Sequence, residues 1–144
     1  MVRLHRNGTI ETSLGFPDAG GHDSMNQHLF PLQSDGEYFF EEGCYILELL
    51  NDPADPNASV ARARVPPGTT TRWHRLIGTT ERYVILEGEG IVSIGDHPPA
   101  KVRSGDAVLI GPMTRQRIHN TGATDLVFLA ICTPRFDPCN YLEA

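Results

Sequence analysis

The sequence contains no cluster of basic residues, no C-x-x-C pair, no apolar run long enough to cross a bilayer and no segment of helical periodicity. With a formal charge of -6, a pI near 5.4 and arginines scattered among acids, the chain has nothing to neutralise a row of phosphates, which excludes nucleic acid as a partner. Cys44, Cys132 and Cys139 are an odd number of cysteines, and no basic, apolar, cleavable leader opens the chain. Both features predict a reducing cytoplasm. The longest apolar runs, such as 126–132, are strand-sized, far below the ~20 residues that span a membrane. The chain is expected to be soluble. No internal repeat is present. Gly88 and Gly90 lack the strand-to-helix context of a phosphate-binding loop.

What is present is a series of short β-prone runs. At 144 residues the chain suits one domain, burying roughly 70% of the surface its unfolded form exposes. Residues 3–35 are rich in Gly, Asp, His, Ser and Asn with isolated apolar positions, and read as an extended arm with one or two short strands. From Cys44 onward the runs CYILELL, SVARARV, TTRWHRL, ERYVILE, GIVSI, AKVR, DAVLI, RQRIHN and LVFLAICT follow one another. Turn signals separate them: Asn51-Asp52-Pro53, Pro66-Pro67-Gly68, Gly78, Gly88 to Gly90, Gly95-Asp96, Gly105 and Gly122. Many short strands at regular spacing predict an all-β sandwich or barrel. Strand alternation puts Arg72, His74 and Leu76 on one face, Glu81, Tyr83 and Ile85 on another, and Gln116, Ile118 and Asn120 on a third.

The segment PPGTTTRWHRLIGTTERYVILEGEG holds Gly68, five residues, His74, Leu76, Glu81, six residues and Gly88. This spacing resembles the first motif of the cupin family, with Leu76 standing where that motif has its second histidine. GDAVLIGPMTRQRIHN resembles the second cupin motif. Gly105, Asp106 and Asn120 fit, Pro112 falls one residue late, Met113 stands where the turn glycine is usual, and Gln116 occupies the place of the metal-binding histidine. The resemblance covers about residues 44 to 133. It implies a jelly-roll barrel, or double-stranded β-helix, in which His74, Glu81 and Gln116 converge on the interior. The organisation expected is an N-terminal arm (1–43) contacting a second copy in a homodimer, a cupin barrel (44–134) and a C-terminal tail (135–144) to which no chemistry is assigned.

Imidazole nitrogen with carboxylate and amide oxygen suits a divalent cation, Fe, Mn, Ni, Zn or Co, with positions open to water or substrate. The resemblance implies His74, Glu81 and Gln116 as its ligands. Alternatively His74 is a hydrogen-bonded core residue and Glu81 pairs with Arg72 or Arg115, because a buried carboxylate needs a partner. His119 substitutes for the missing ligand only if a bulge reverses its face. His5, His22, His28 and His97 fall outside both motifs, with His22 or His28 able to fold over the barrel mouth. Tyr83 and Glu81 are the candidate catalytic acid and base; otherwise Tyr83 fills the barrel. Arg72, Trp73, Leu76 and Ile118 are the candidate substrate contacts, with Ile85 and Phe128 as further walls. Arg62, Arg64 and Arg72 can hold a carboxylate bidentately, or lie on the surface. A mainly apolar cavity with arginines nearby hints at a small carboxylate or aromatic ligand. The function expected is metal-dependent conversion of a small molecule, its class open among dioxygenase, isomerase, lyase and cyclase. The alternatives are a metal-free binding or sensor protein, and a metal-independent enzyme working by acid and base.

Overall fold

The structure is a computed structural model that describes residues 28–144. The expected N-terminal arm, with His5 and His22, lies largely outside these residues. The described part is built from eleven strands: β1 (Tyr38–Phe40), β2 (Cys44–Leu50), β3 (Ser59–Val65), β4 (His74–Leu76), β5 (Thr80–Glu87), β6 (Glu89–Ile94), β7 (Ala100–Arg103), β8 (Ala107–Ile110), β9 (Gln116–Asn120), β10 (Leu126–Thr133) and β11 (Tyr141–Glu143). They form two antiparallel sheets, ordered β1-β2-β3-β10-β5-β8 and β11-β4-β9-β6-β7. The expected all-β jelly-roll is the architecture found.

Alternation sets the core. In β5 the inward residues Glu81, Tyr83 and Ile85 are buried, and in β9 Gln116, Ile118 and Asn120 are buried, with intermediate residues between. Their apolar members pack with Val65, Ile110, Leu126 and Phe128. Asn120 is buried as a lock between strands: its amide donates to the Val65 and Thr124 carbonyls, both at 2.8 Å, and its oxygen accepts from the Gly122 N–H. Gly88, between β5 and β6, has φ of 83°, and a Cβ there would stand 2.7 Å from the Asp125 carbonyl oxygen. Both facts require glycine.

The sheets take in residues on either side of 44–134. β1 pairs with β2, and β11 pairs with β4, with Glu143 opposite His74. Among the described residues no helix is long and apolar enough to cross a membrane.

Candidate functional site

His74 is delivered by a fastened loop. The turn at Pro66–Gly68 closes with the Thr69 N–H on the Pro66 carbonyl. Thr71 is tied to β9 by two bonds of 2.9 Å, its N–H to the Ile118 carbonyl and the Ile118 N–H to its Oγ1. β4 then begins at His74, directly opposite Gln116. Glu81 on β5 faces Cys132 on β10 and Ile110 on β8, and Tyr83 faces Ala130 and Val108. His74, Glu81, Tyr83 and Gln116 are all buried.

The polar contacts among them are specific. The His74 Nδ1–H donates to the Arg72 carbonyl at 2.8 Å, because a carbonyl can only accept. Its Nε2 therefore points inward, where it meets Glu42 Oε2 at 3.1 Å. The ring stacks on Tyr141, with centroids 5.2 Å apart. Glu42 Oε1 accepts from the Cys44 thiol at 2.8 Å. The Tyr83 hydroxyl donates to Gln116 Oε1. Glu81 Oε2 receives only a long contact of 3.6 Å from the Cys132 thiol. Its Oε1 is one of three buried side-chain polar atoms without a partner among the described residues.

These environments shift the titrating groups. Burial pushes the Glu81 carboxyl up to about 7; Glu42 pushes the same way, while His74, the Gln116 amide and Cys132 oppose it. Burial, then the charge of Glu81, raises the Tyr83 phenol well above its ordinary value. Burial first, then the adjacent glutamates, raises the Cys44 and Cys132 thiols. These two cysteines are inert thiols rather than nucleophiles.

Glu81 and Tyr83 line a cavity that opens to solvent. Its walls come from β1, β2, β3, β5, β10 and the segment after β10: Tyr38, Phe40, Ile46, Ala63, Phe128 and Phe136 supply the main apolar surface, with Glu42 and Glu48 beside them. The C-terminal segment therefore does contribute, through Phe136 and through Tyr141 on the His74 ring.

The structure places several of the expected site residues away from this cavity. Arg72 is exposed and pairs with Glu143 at 3.3 Å, and Trp73 stacks against Arg115 and Arg117. Alternation does not run back through them because regular strand begins only at His74. Leu76 and Ile118 are buried, Ile118 in the apolar core, but neither lines the cavity. Arg62 and Arg64 are engaged by Glu37, and no arginine among the described residues lines the cavity. Arg115 lies near Asp96, so neither Arg72 nor Arg115 pairs with Glu81. His119 faces away and bonds Thr70 Oγ1 at 2.7 Å. His28 and His97 are exposed. Sequence reasoning missed Glu42, which sits in the turn between β1 and β2, where no periodicity marks an inward residue. Cys132 was detectable, since it continues the inward alternation of Leu126, Phe128 and Ala130 on β10.

The fit of a divalent cation can be tested on these atoms. Glu81 Oε1 is an unsatisfied acceptor, and the anchored Nδ1 of His74 is the support that a ligating imidazole commonly has. Against this, His74 Nε2 is engaged by Glu42 and Gln116 Oε1 by Tyr83. Among the described residues no group of three His, Cys, Asp or Glu side chains is placed to hold a metal ion. Among the described residues these donors are engaged with one another rather than grouped around a common point.

A family model described as Cupin domain matches residues 61–132. An uncharacterised protein of Methanocaldococcus jannaschii is 35% identical over 101 residues, spanning 69% of this chain and 80% of its own length. An oxalate-binding protein of Thermotoga maritima is 37% identical over 71 residues, spanning 49% of this chain and 58% of its own length. Among solved structures, a predicted oxalate decarboxylase of Thermotoga maritima is 26% identical with a TM-score of 0.64, covering 72% of this chain and 98% of that one. The nucleoside dehydratase Pac13 shares the fold at 16% identity and a TM-score of 0.66, covering 80% and 90%.

Proposed function

For a chain that belongs to the cupin family, we propose that it binds a small organic molecule in the cavity beside Glu81 and acts on it by proton transfer. The single observation that carries this reading is the Glu81 carboxyl: buried, lacking a partner at Oε1, and titrating near neutrality. A group whose pKa lies near the working pH is the most effective general acid or base, and such perturbed groups in apolar cavities concentrate at functional sites. Glu81 takes the proton from a bound substrate on Oε1 and returns it to a neighbouring atom. The His74–Glu42 contact, at 3.1 Å, lies nearby. Tyr83 stays protonated and gives its hydroxyl hydrogen to Gln116. It therefore walls and orients the substrate while Glu81 exchanges the proton.

A second reading rests on the unsatisfied Glu81 oxygen: a divalent cation, Mn, Fe, Co, Ni or Zn, held by His74 and Glu81 with Gln116 or Glu42. It requires His74 Nε2 to leave Glu42 or Gln116 Oε1 to leave Tyr83. Oxalate, in the name of the Thermotoga relative, finds no basic side chain on this cavity wall among the described residues. A homodimer is supported by the outer face of the larger sheet, where Leu86 and Leu109 are 42% and 68% exposed. The three free cysteines support a reducing compartment such as the cytoplasm.

An infrared titration paired with elemental mass spectrometry tests the two readings together. The proton-transfer reading expects a buried carboxylic acid band that disappears around pH 7 and is absent from Glu81→Gln. It also expects small-molecule binding that survives dialysis against a chelator. Near-stoichiometric metal lost in His74→Ala, with no titrating acid band, would replace it with the cation reading.

A further inference from the structure

We propose that the ligand of this cavity is an organic ammonium compound, an amine or quaternary ammonium carried on a small apolar or aromatic group. The inference rests on the proposed small-molecule site and specifies its substrate class.

Among the described residues the charge around the cavity is of one sign: Glu42, Glu48 and Glu81 line it, and no described Arg, Lys or His does. The nearby arginines of β3 lie on the opposite face of that strand from the cavity-lining Ala61 and Ala63, where Glu37 binds Arg62 at 3.7 Å and Arg64 at 2.6 Å. Even with His74 protonated and neutralising Glu42, the remaining carboxyl groups leave the cavity acidic or neutral, never basic. An anionic ligand would be desolvated against carboxylates with no cation to meet it.

The walls supply the second half of cation recognition. Phe40 and Phe136 stand edge to face with centroids 6.3 Å apart, Tyr38 is set against Phe40 at 6.4 Å, and Tyr83 packs on Phe128 at 4.4 Å. Ring faces attract an organic cation most strongly where water is excluded. Carboxylates among aromatic rings are the combination that binds an ammonium and rejects a carboxylate.

The third observation is the orphaned acceptor. Glu81 is 9% exposed, lines the cavity and has no hydrogen-bond partner at Oε1. An apolar neutral ligand would leave this oxygen unsatisfied, which is costly in a dry site. An ammonium N–H satisfies it and adds charge assistance. The position of Glu81 at the inner end and Glu48 at the exposed rim also gives an entering cation an acidic path.

The test is ligand-observed NMR and calorimetry on the full chain at pH 7.5, with four probes: benzylammonium, benzyl alcohol, benzoate and oxalate. Benzylammonium is expected to bind at least about tenfold more tightly than benzyl alcohol, within the range of a desolvated cation–π contact joined to a charged hydrogen bond. Benzoate and oxalate are expected not to bind. Phe136→Leu, which keeps the apolar volume and removes the ring, should weaken benzylammonium about tenfold and benzyl alcohol much less. Glu81→Gln should bring the two ligands close together. Equal affinity for ammonium and alcohol, preference for either carboxylate, or no benzylammonium binding each overturns the proposal. Binding of the alcohol or benzoate with shifts at Phe136 would leave the small-molecule site standing while removing the ammonium. A failed infrared titration of Glu81 would remove proton transfer whichever probe binds.

Discussion

Replacing Glu81 with glutamine removes a titrating proton at nearly constant volume, and the structure fixes the sign and size of the effect. The carboxyl ionises near 4.5 in the unfolded chain and at about 7 in the fold. Between those values the folded state holds a proton that the unfolded state has released, so raising pH through the window favours unfolding. The contribution of the neutral acid is fully present below about pH 4.5 and is lost as pH rises through the folded value. At about 1.4 kcal/mol per pKa unit, ionising Glu81 inside the barrel costs the fold about 3 kcal/mol by pH 8.5. The substituted glutamine is neutral throughout, so Glu81→Gln should match the wild type near pH 5 and exceed it at pH 8.5. The difference in melting temperature should reach on the order of 10 °C. Differential scanning calorimetry from pH 5 to 8.5, in the presence of a chelator, reads this directly. Parallel profiles would show that Glu81 titrates alike in both states, and the account of an unpaired acid would fall. A gap of the opposite sign would show an ionised, paired Glu81, as a bound cation would produce.

Gly90→Ala places a Cβ 2.5 Å from the His119 carbonyl oxygen and 2.9 Å from Leu126 Cδ2, and should cost about 2–3 kcal/mol in urea unfolding. Met113 has φ of 61°, so Met113→Gly should raise stability by about 0.5–1 kcal/mol in the same measurement, relief of left-handed strain outweighing the added chain entropy. Leu109→Glu should convert a dimer into a monomer by light scattering without changing the circular dichroism spectrum, since Leu109 is 68% exposed. His74→Ala should lower stability by about 2–3 kcal/mol, because it leaves the largely buried Glu42 carboxylate beside an empty space; unchanged urea unfolding would show that the pair contributes nothing to the fold.

Where strand alternation runs unbroken, the sequence was easy to read. The runs CYILELL, SVARARV, AKVR and LVFLAICT coincide with β2, β3, β7 and β10. Period two groups Glu81, Tyr83 and Ile85 on one face and Gln116, Ile118 and Asn120 on another, and the resemblance to the cupin motifs is what turned both faces inward, where they are buried. Reading failed where that period stops. TTRWHRL shrinks to the three residues His74–Leu76, because Thr70 and Thr71 bind β9 as a loop, and the face assigned to Arg72 and Trp73 went with it. β1 and β11 are three residues each, too short for any pattern to stand above background, yet they carry Tyr38, Phe40 and Tyr141 to the site.

The two altered family positions make sense together. Leu76 cannot ligate, and it is buried in the barrel; Gln116 replaces an imidazole and uses its amide oxygen to hold the Tyr83 hydroxyl. What remains of the inherited constellation is one imidazole and one carboxylate, and Glu42 takes the inward nitrogen of that imidazole. Glu81 is thereby left with an oxygen that nothing in the described protein satisfies. A buried carboxylate keeps its negative charge only beside a cation or several hydrogen-bond donors. His74, the Gln116 amide and Cys132 favour the charged form of Glu81 but are outweighed by burial and by Glu42, so the carboxyl holds a proton up to about pH 7. In the proposed reading it is therefore Leu76 on β4 and Gln116 on β9, rather than a residue of the strand that carries Glu81, that leave this carboxyl free to exchange a proton.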